Sequence, residues 1–82
     1  MTPLNIEIEV RLYNEMKGFA PGEQTDFKVK TTEGSTVADI LNKLKIPSKT
    51  EHVALLNGRR VIESKILKAD SVLVLFPPIS GG

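Results

Sequence analysis

Few side chains in this sequence could carry covalent chemistry. It holds no cysteine and a single histidine, His52, which excludes a cysteine nucleophile, a thiolate metal site and any disulfide. His52 alone cannot complete a zinc cluster, and the carboxylates lack the spacing of a calcium loop. No serine or carboxylate stands at a fixed spacing that would make His52 a general base, so a surface or loop-packing role is expected for it. Gly18 and Gly22 are not followed by the Lys-Ser/Thr of a phosphate-binding loop and read as turn residues. The group that remains is the carboxylate of Gly82, at the end of Phe76-Pro77-Pro78-Ile79-Ser80-Gly81-Gly82.

Two readings of that end are open. A glycine-rich terminus can simply fray, with Pro77 and Pro78 stopping a strand because neither donates to a ladder. Three features favour a presented carboxylate instead. The segment leaves directly from an apolar strand, so its base is held. Pro77-Pro78 favours an extended polyproline path, and the six residues from Pro77 reach roughly 20 Å when straight. Gly81 and Gly82 have no side chains and can enter a channel too narrow for a Cβ. A carboxylate on a thin stalk has the geometry of a substrate.

The rest of the chain must hold that stalk. Ile6, Ile8, Val10 and Leu12 alternate with Glu7, Glu9, Arg11 and Tyr13, the period of a half-buried strand. Residues 14–24, with Gly18, Pro21 and Gly22, read as a connection rather than an element. Thr25, Phe27, Val29 and Thr31 then alternate again, predicting an antiparallel hairpin with a long loop. Val37, Ile40, Leu41 and Leu44 fall at helical spacing. Thr36 and Asp39 suggest a capping box, and Pro47 ends the helix near Lys45. Asn57-Gly58 between apolar runs predicts a tight hairpin, with Arg59 and Arg60 solvated beyond it or used by an acidic partner surface. Residues 63–71 read as a polar connection with room for one helical turn. Val72 to Phe76 is continuously apolar, which predicts a central strand buried on both faces beside a parallel neighbour. Two roles are open to Phe76, core residue or docking anchor at the root of the tail; Arg11 could join the same patch.

The order strand, strand, helix, strand, strand predicts an α+β fold of the β-grasp (ubiquitin-like) type: a mixed sheet with one main helix packed on one face. The expected division is a β-grasp domain over 1–76 and an extended diglycine tail over 77–82. The second sheet face is only partly polar and could dock a partner.

With 82 residues, folding hides roughly 60% of the unfolded chain's surface, enough for one thin core and too little for an enclosing cleft. Catalytic residues are therefore expected on a partner. Net charge is +1, split as −3 over residues 1–39 and +4 over 40–82. The few aromatics do not interleave with a basic cluster, so nucleic-acid binding is not expected. The start shows no secretory signal, and Val72–Phe76 is too short to cross a bilayer, so a cytoplasmic protein without a membrane partner is expected.

The stretches ADSVLVLFPPISGG, TVADILNKLKIP and LLNGRRV together resemble the MoaD/ThiS sulfur-carrier family of small ubiquitin-fold proteins, over nearly the whole chain. Phe-Pro-Pro before the terminal Gly-Gly is closer to the small subunit of molybdopterin synthase than to thiazole-pathway carriers. Ala69-Asp70 departs from the commoner Gly-Asp of the family, and residues 14–24 are irregular for it. The resemblance implies that Gly82 is adenylated by an E1-like (MoeB/ThiF-like) enzyme that uses ATP. A sulfur donor protein then supplies the sulfur of a C-terminal thiocarboxylate. Phe76, Pro77, Pro78, Ile79, Ser80 and Gly81 would enter the partners, among them a MoaE-like large subunit of molybdopterin synthase. No cofactor would be bound by the chain itself. The alternatives are a carrier for thiazole or another pathway, a ubiquitin-like protein modifier, and a passive interaction domain.

Overall fold

A computed structural model describes residues 4–47 and 49–78. Strand β1 (Asn5–Leu12) pairs antiparallel with β2 (Asp26–Thr32), with Ile8 opposite Val29 and Val10 opposite Phe27. Helix α1 (Val37–Lys43) follows, then the hairpin of β3 (Val53–Leu56) and β4 (Arg59–Val61), and finally β5 (Val72–Phe76). The sheet order is β2-β1-β5-β3-β4, with β5 parallel to β1 and antiparallel to β3. The last strand is therefore central, as its apolar run predicts, and the architecture is the β-grasp of an α+β domain.

Local chemistry explains each boundary. Thr36 caps α1: its hydroxyl accepts from the Asp39 N–H, and the Asp39 carboxylate accepts from the Thr36 N–H at 2.8 Å. That reciprocal pair satisfies two donors at the helix start. The helix stops at Lys43, and Lys45 turns left-handed with φ 59°, ahead of Pro47. The reversal drives Ile46 back into the core. Asn57 and Gly58 have φ of 51° and 84°, the paired positive values of the turn that matches strand twist in a two-residue hairpin.

The core lies between α1 and one face of the sheet. Ile8, Val10 and Leu12 from β1, Ala54 and Leu56 from β3, and Leu73 and Leu75 from β5 meet Val37, Ile40 and Leu41 from the helix. Leu67 anchors the connection between β4 and β5 in the same cluster.

Three expectations need correction. Residues 14–23 are not a bare connection: Asn14–Phe19 and Pro21–Glu23 form two 3-10 turns, and Met16 is buried among the core residues. Met16 and Ala20 in the core cluster, with Phe19 packed against it, order them. The connection from 62 to 71 holds no helical turn; it runs beside the start of α1, with an isolated bridge between Thr36 and Ile66. The central strand β5 is not buried on both faces. Leu73 and Leu75 are wholly buried, while Val72, Val74 and Phe76 are only half-covered. The α-helix among the described residues lies on one face, and none of the described elements covers the other.

Candidate functional site

The site is the end of β5 and the sheet face from which the tail departs. Strand alternation places Leu73 and Leu75 under the helix and turns Val72, Val74 and Phe76 to the opposite side. Pairing registers then align side chains in rows across that side. Arg11 is opposite Val74, Val74 opposite Leu55, and Leu55 opposite Arg60. With about 4.8 Å between strands, this row spans about 14 Å from one arginine to the other. The next row places Phe76 opposite Val53. Tyr13 follows β1 in extended conformation, and its N–H donates to the Leu75 carbonyl at 3.1 Å.

The result is an apolar strip of Val53, Leu55, Val74 and Phe76 between two cationic ends. Tyr13 (38% exposed) and Ile62 (74% exposed) stand among the exposed large apolar residues nearby. Arg11 is not free in the strip; its Nε donates to the Glu9 carboxylate. That hydrogen bond and the Glu9 charge raise the Arg11 pKa, with smaller contributions from Tyr13. Glu9 thus tethers the guanidinium on its own strand.

The alternative roles of Phe76 are separated by its direction. It faces away from α1 and stands outside the core cluster, so it belongs to the open face. Pro77 is half-buried and Pro78 exposed, so the chain emerges from the sheet at this point. Ile79, Ser80, Gly81 and Gly82 lie outside the described residues.

Beside the root of the tail is a cleft of about 720 Å³ whose lining includes Lys49, His52, Glu63, Ser64 and Pro78. The His52 side chain is 8% exposed, its Nδ1 2.9 Å from the Thr50 carbonyl and its Nε2 3.5 Å from a Glu63 carboxylate oxygen. A carbonyl only accepts, so Nδ1 carries the proton there. His52 pins the loop before β3, which is the loop-packing role expected of it. Among the described residues no group of three His, Asp or Glu side chains could hold a metal ion, and no helix is long and apolar enough to cross a membrane.

Sequence patterns singled out Phe76 and Arg11 but not Val53, Leu55 or Ile62 as their neighbours. Val53 and Leu55 could have been found by carrying strand alternation through β3, since the tight hairpin fixes its register. Ile62 lies beyond β4, where no period marks its direction.

A β-grasp domain with a bare apolar sheet face beside a C-terminal strand belongs to the ubiquitin-like class of small carrier and modifier folds. Within it, the ThiS family model matches residues 10–82. The chain belongs to the ThiS family, of ThiS/MoaD-type ubiquitin-fold sulfur carriers. Solved structures share the fold. The crystal structure of SAMP1 from Haloferax volcanii is 24% identical, with TM-score 0.74 over 93% of this chain and 99% of that one. A chain in the complex of subunits 1 and 2 of molybdopterin-converting factor from Helicobacter pylori 26695 is 20% identical, with TM-score 0.65 over 94% and 100%. The ubiquitin of Caldiarchaeum subterraneum is 21% identical, with TM-score 0.62 over 95% and 99%. No curated protein matches.

Proposed function

We propose that this chain carries sulfur as a thiocarboxylate on Gly82 and acts as the small subunit of a molybdopterin synthase. The carrying observation is the tail's origin: the central strand β5 ends in Phe76 on the open apolar face, and the chain leaves the sheet at Pro77-Pro78. A partner that covers Val53, Leu55, Val74 and Phe76 therefore lies directly over the base of the stalk.

The chemistry divides between carrier and partners. A carboxylate resists nucleophiles because its charge repels them. An E1-like enzyme joins the Gly82 carboxylate to AMP, releasing pyrophosphate from ATP. A sulfur nucleophile supplied by a donor protein then displaces AMP and leaves the thiocarboxylate. With no cysteine in the chain, sulfur cannot ride on a side chain. Gly81 and Gly82 admit the end into a narrow channel, while Pro77 to Ser80 form the stalk. The carrier holds no ATP and supplies no catalytic side chain; a MoaE-like large subunit does the transfer to the pterin precursor. The tail over 77–82 acts as one functional unit and the domain over 1–76 as its handle, in the cytoplasm where its partners work.

Co-expression with an adenylating enzyme and a sulfur donor should add to the C-terminus the mass difference of sulfur for oxygen, read by intact mass spectrometry. Absence of that gain overturns the carrier chemistry. Assembly with a molybdopterin synthase large subunit should follow; a preference for a thiazole-forming acceptor instead would redirect the pathway.

The similarity to SAMP1 and to a ubiquitin favours a second reading, in which the same activated glycine forms isopeptide bonds. It predicts a ladder of heavier conjugates in cell extract that disappears when Gly82 is deleted.

A further inference from the structure

The second feature of this surface lies at the opposite end of β5 from the tail. Between the edge strand β4 and the segment that follows it runs a groove of about 430 Å³, lined by Arg59, Arg60, Lys65 and Lys68 around Val61 and Ile66. Ser71, just before β5, closes one end of the groove, whereas Pro78, just beyond β5, lines the cleft at the root of the tail. Five strand residues, about 17 Å, separate Ser71 from Pro78, while Arg60 and Val61 line both clefts.

Its charge is not neutralised from within. No carboxylate lines the groove, and none of its four cations forms an ion pair among the described residues. The two carboxylates nearest in sequence are engaged elsewhere. Glu63 faces His52, and Asp70 lines a separate cleft with Glu7, Glu9 and Lys28.

Its apolar part is held in place. Val37 donates its N–H to the Lys65 carbonyl at 3.0 Å, and Leu67 donates to the Ser35 carbonyl at 2.8 Å. With Leu67 locked in the core, the residue before it must point outward, and Ile66 is 58% exposed. Ile62, 74% exposed, joins it along the β4 edge, where Arg60, Val61, Ile62, Lys65 and Ile66 line one continuous depression. Two exposed isoleucines among four exposed cations make an amphipathic receptor.

We propose that this groove docks an acidic segment of a partner protein, extended along β4, with apolar side chains seated on Ile62 and Ile66. Charge decides the occupant. A second copy would bring four cations against four cations. A single-stranded nucleic acid would find no stacking platform, since Tyr13, Phe19, Phe27 and Phe76 are not among the lining residues. An acidic peptide meets both requirements. The depression adjoins the cleft at the root of the tail through Arg60, Val61 and Ile62, so a partner held here lies beside the stalk. The docking is independent of the sulfur chemistry.

The test uses the full-length chain and a blocked twelve-residue peptide in which Glu alternates with Leu, compared with its Lys-for-Glu counterpart and with a dT12 oligonucleotide. Amide shifts in NMR should move at Arg59, Arg60 and residues 65–68 with the acidic peptide alone. Lys65→Glu with Lys68→Glu should weaken binding at least tenfold, and Ile66→Ser several-fold at unchanged charge. Arg11→Glu, three strands away across the sheet, and deletion of Gly81-Gly82 should leave it unchanged. Shifts spread over the whole basic surface, an equal loss with Arg11→Glu, tighter binding of dT12, or no binding of the acidic peptide would each overturn the proposal.

Discussion

The two faces of β5 are built from adjacent residues of one strand and face opposite demands. Leu73 and Leu75 lie wholly buried beneath α1; Val72, Val74 and Phe76 are as apolar but only half-covered by their neighbours on the sheet. The first set stabilises the domain by leaving water on folding. The second leaves part of that gain unrealised until a partner arrives, so its energy belongs to association. Apolar character in a strand therefore says that a residue will be buried, not in which step. Truncations on the two faces should separate the steps.

The largest expected effect bypasses both faces. Deleting Gly82 should abolish sulfur loading in the co-expression assay while leaving the denaturation midpoint unchanged, because the folded core ends at β5. Retained loading would remove the chemical purpose assigned to the tail. Next comes Leu75→Ala, which should cost about 2–5 kcal/mol of stability in urea unfolding, as expected for a cavity under a well-packed helix. A loss below about 1 kcal/mol would mean that this face is not the core.

Phe76→Ala should show the reverse pattern. Stability should fall by about 1–2 kcal/mol, less than for Leu75, since part of the ring stays exposed in the folded chain, while affinity for the proposed large subunit should drop by about 2 kcal/mol, roughly thirtyfold. Equal affinity for the variant and the parent would dissolve the contrast between the faces. The smallest effect tests the helix that creates the asymmetry. Thr36→Ala removes the hydroxyl of the capping box and should cost about 1 kcal/mol, with no change in partner affinity once the protein is folded.

The comparison extends to the ends of the same strand. The Phe76 end is apolar and opens into the tail, while the Ser71 end adjoins the basic groove. A variant pair, Phe76→Ala and Lys65→Glu, would show whether any partner depends on one end alone.

Much of this was legible in local patterns. The Thr36/Asp39 box, the Asn57-Gly58 turn and the alternation of β1 rely on neighbours within a few residues, and each appears where its pattern put it. The continuous run from Val72 to Phe76 also announced a central strand with a parallel neighbour, correctly. Elements whose order came from distant contacts were not legible. Met16 orders the 3-10 turns by reaching the core, and Leu67 pins residues 62–71 from a stretch with no period of its own. Ile79 to Gly82 lie outside the described residues, and the roles expected of them rest on sequence chemistry and the family.

By itself, the sequence determined the five strands, the main helix and the tight hairpin turn, and that no cysteine side chain could carry sulfur, because the needed signals are local or are absences of side-chain chemistry. Only the tertiary structure decided which side of β5 stays open, that Phe76 lies there with Val53 and Leu55, and that Arg59, Lys65 and Lys68 share one groove. The reason is that alternation assigns residues to two faces without naming them. The position of α1 chooses between them, and strand pairing brings together residues that sequence keeps apart.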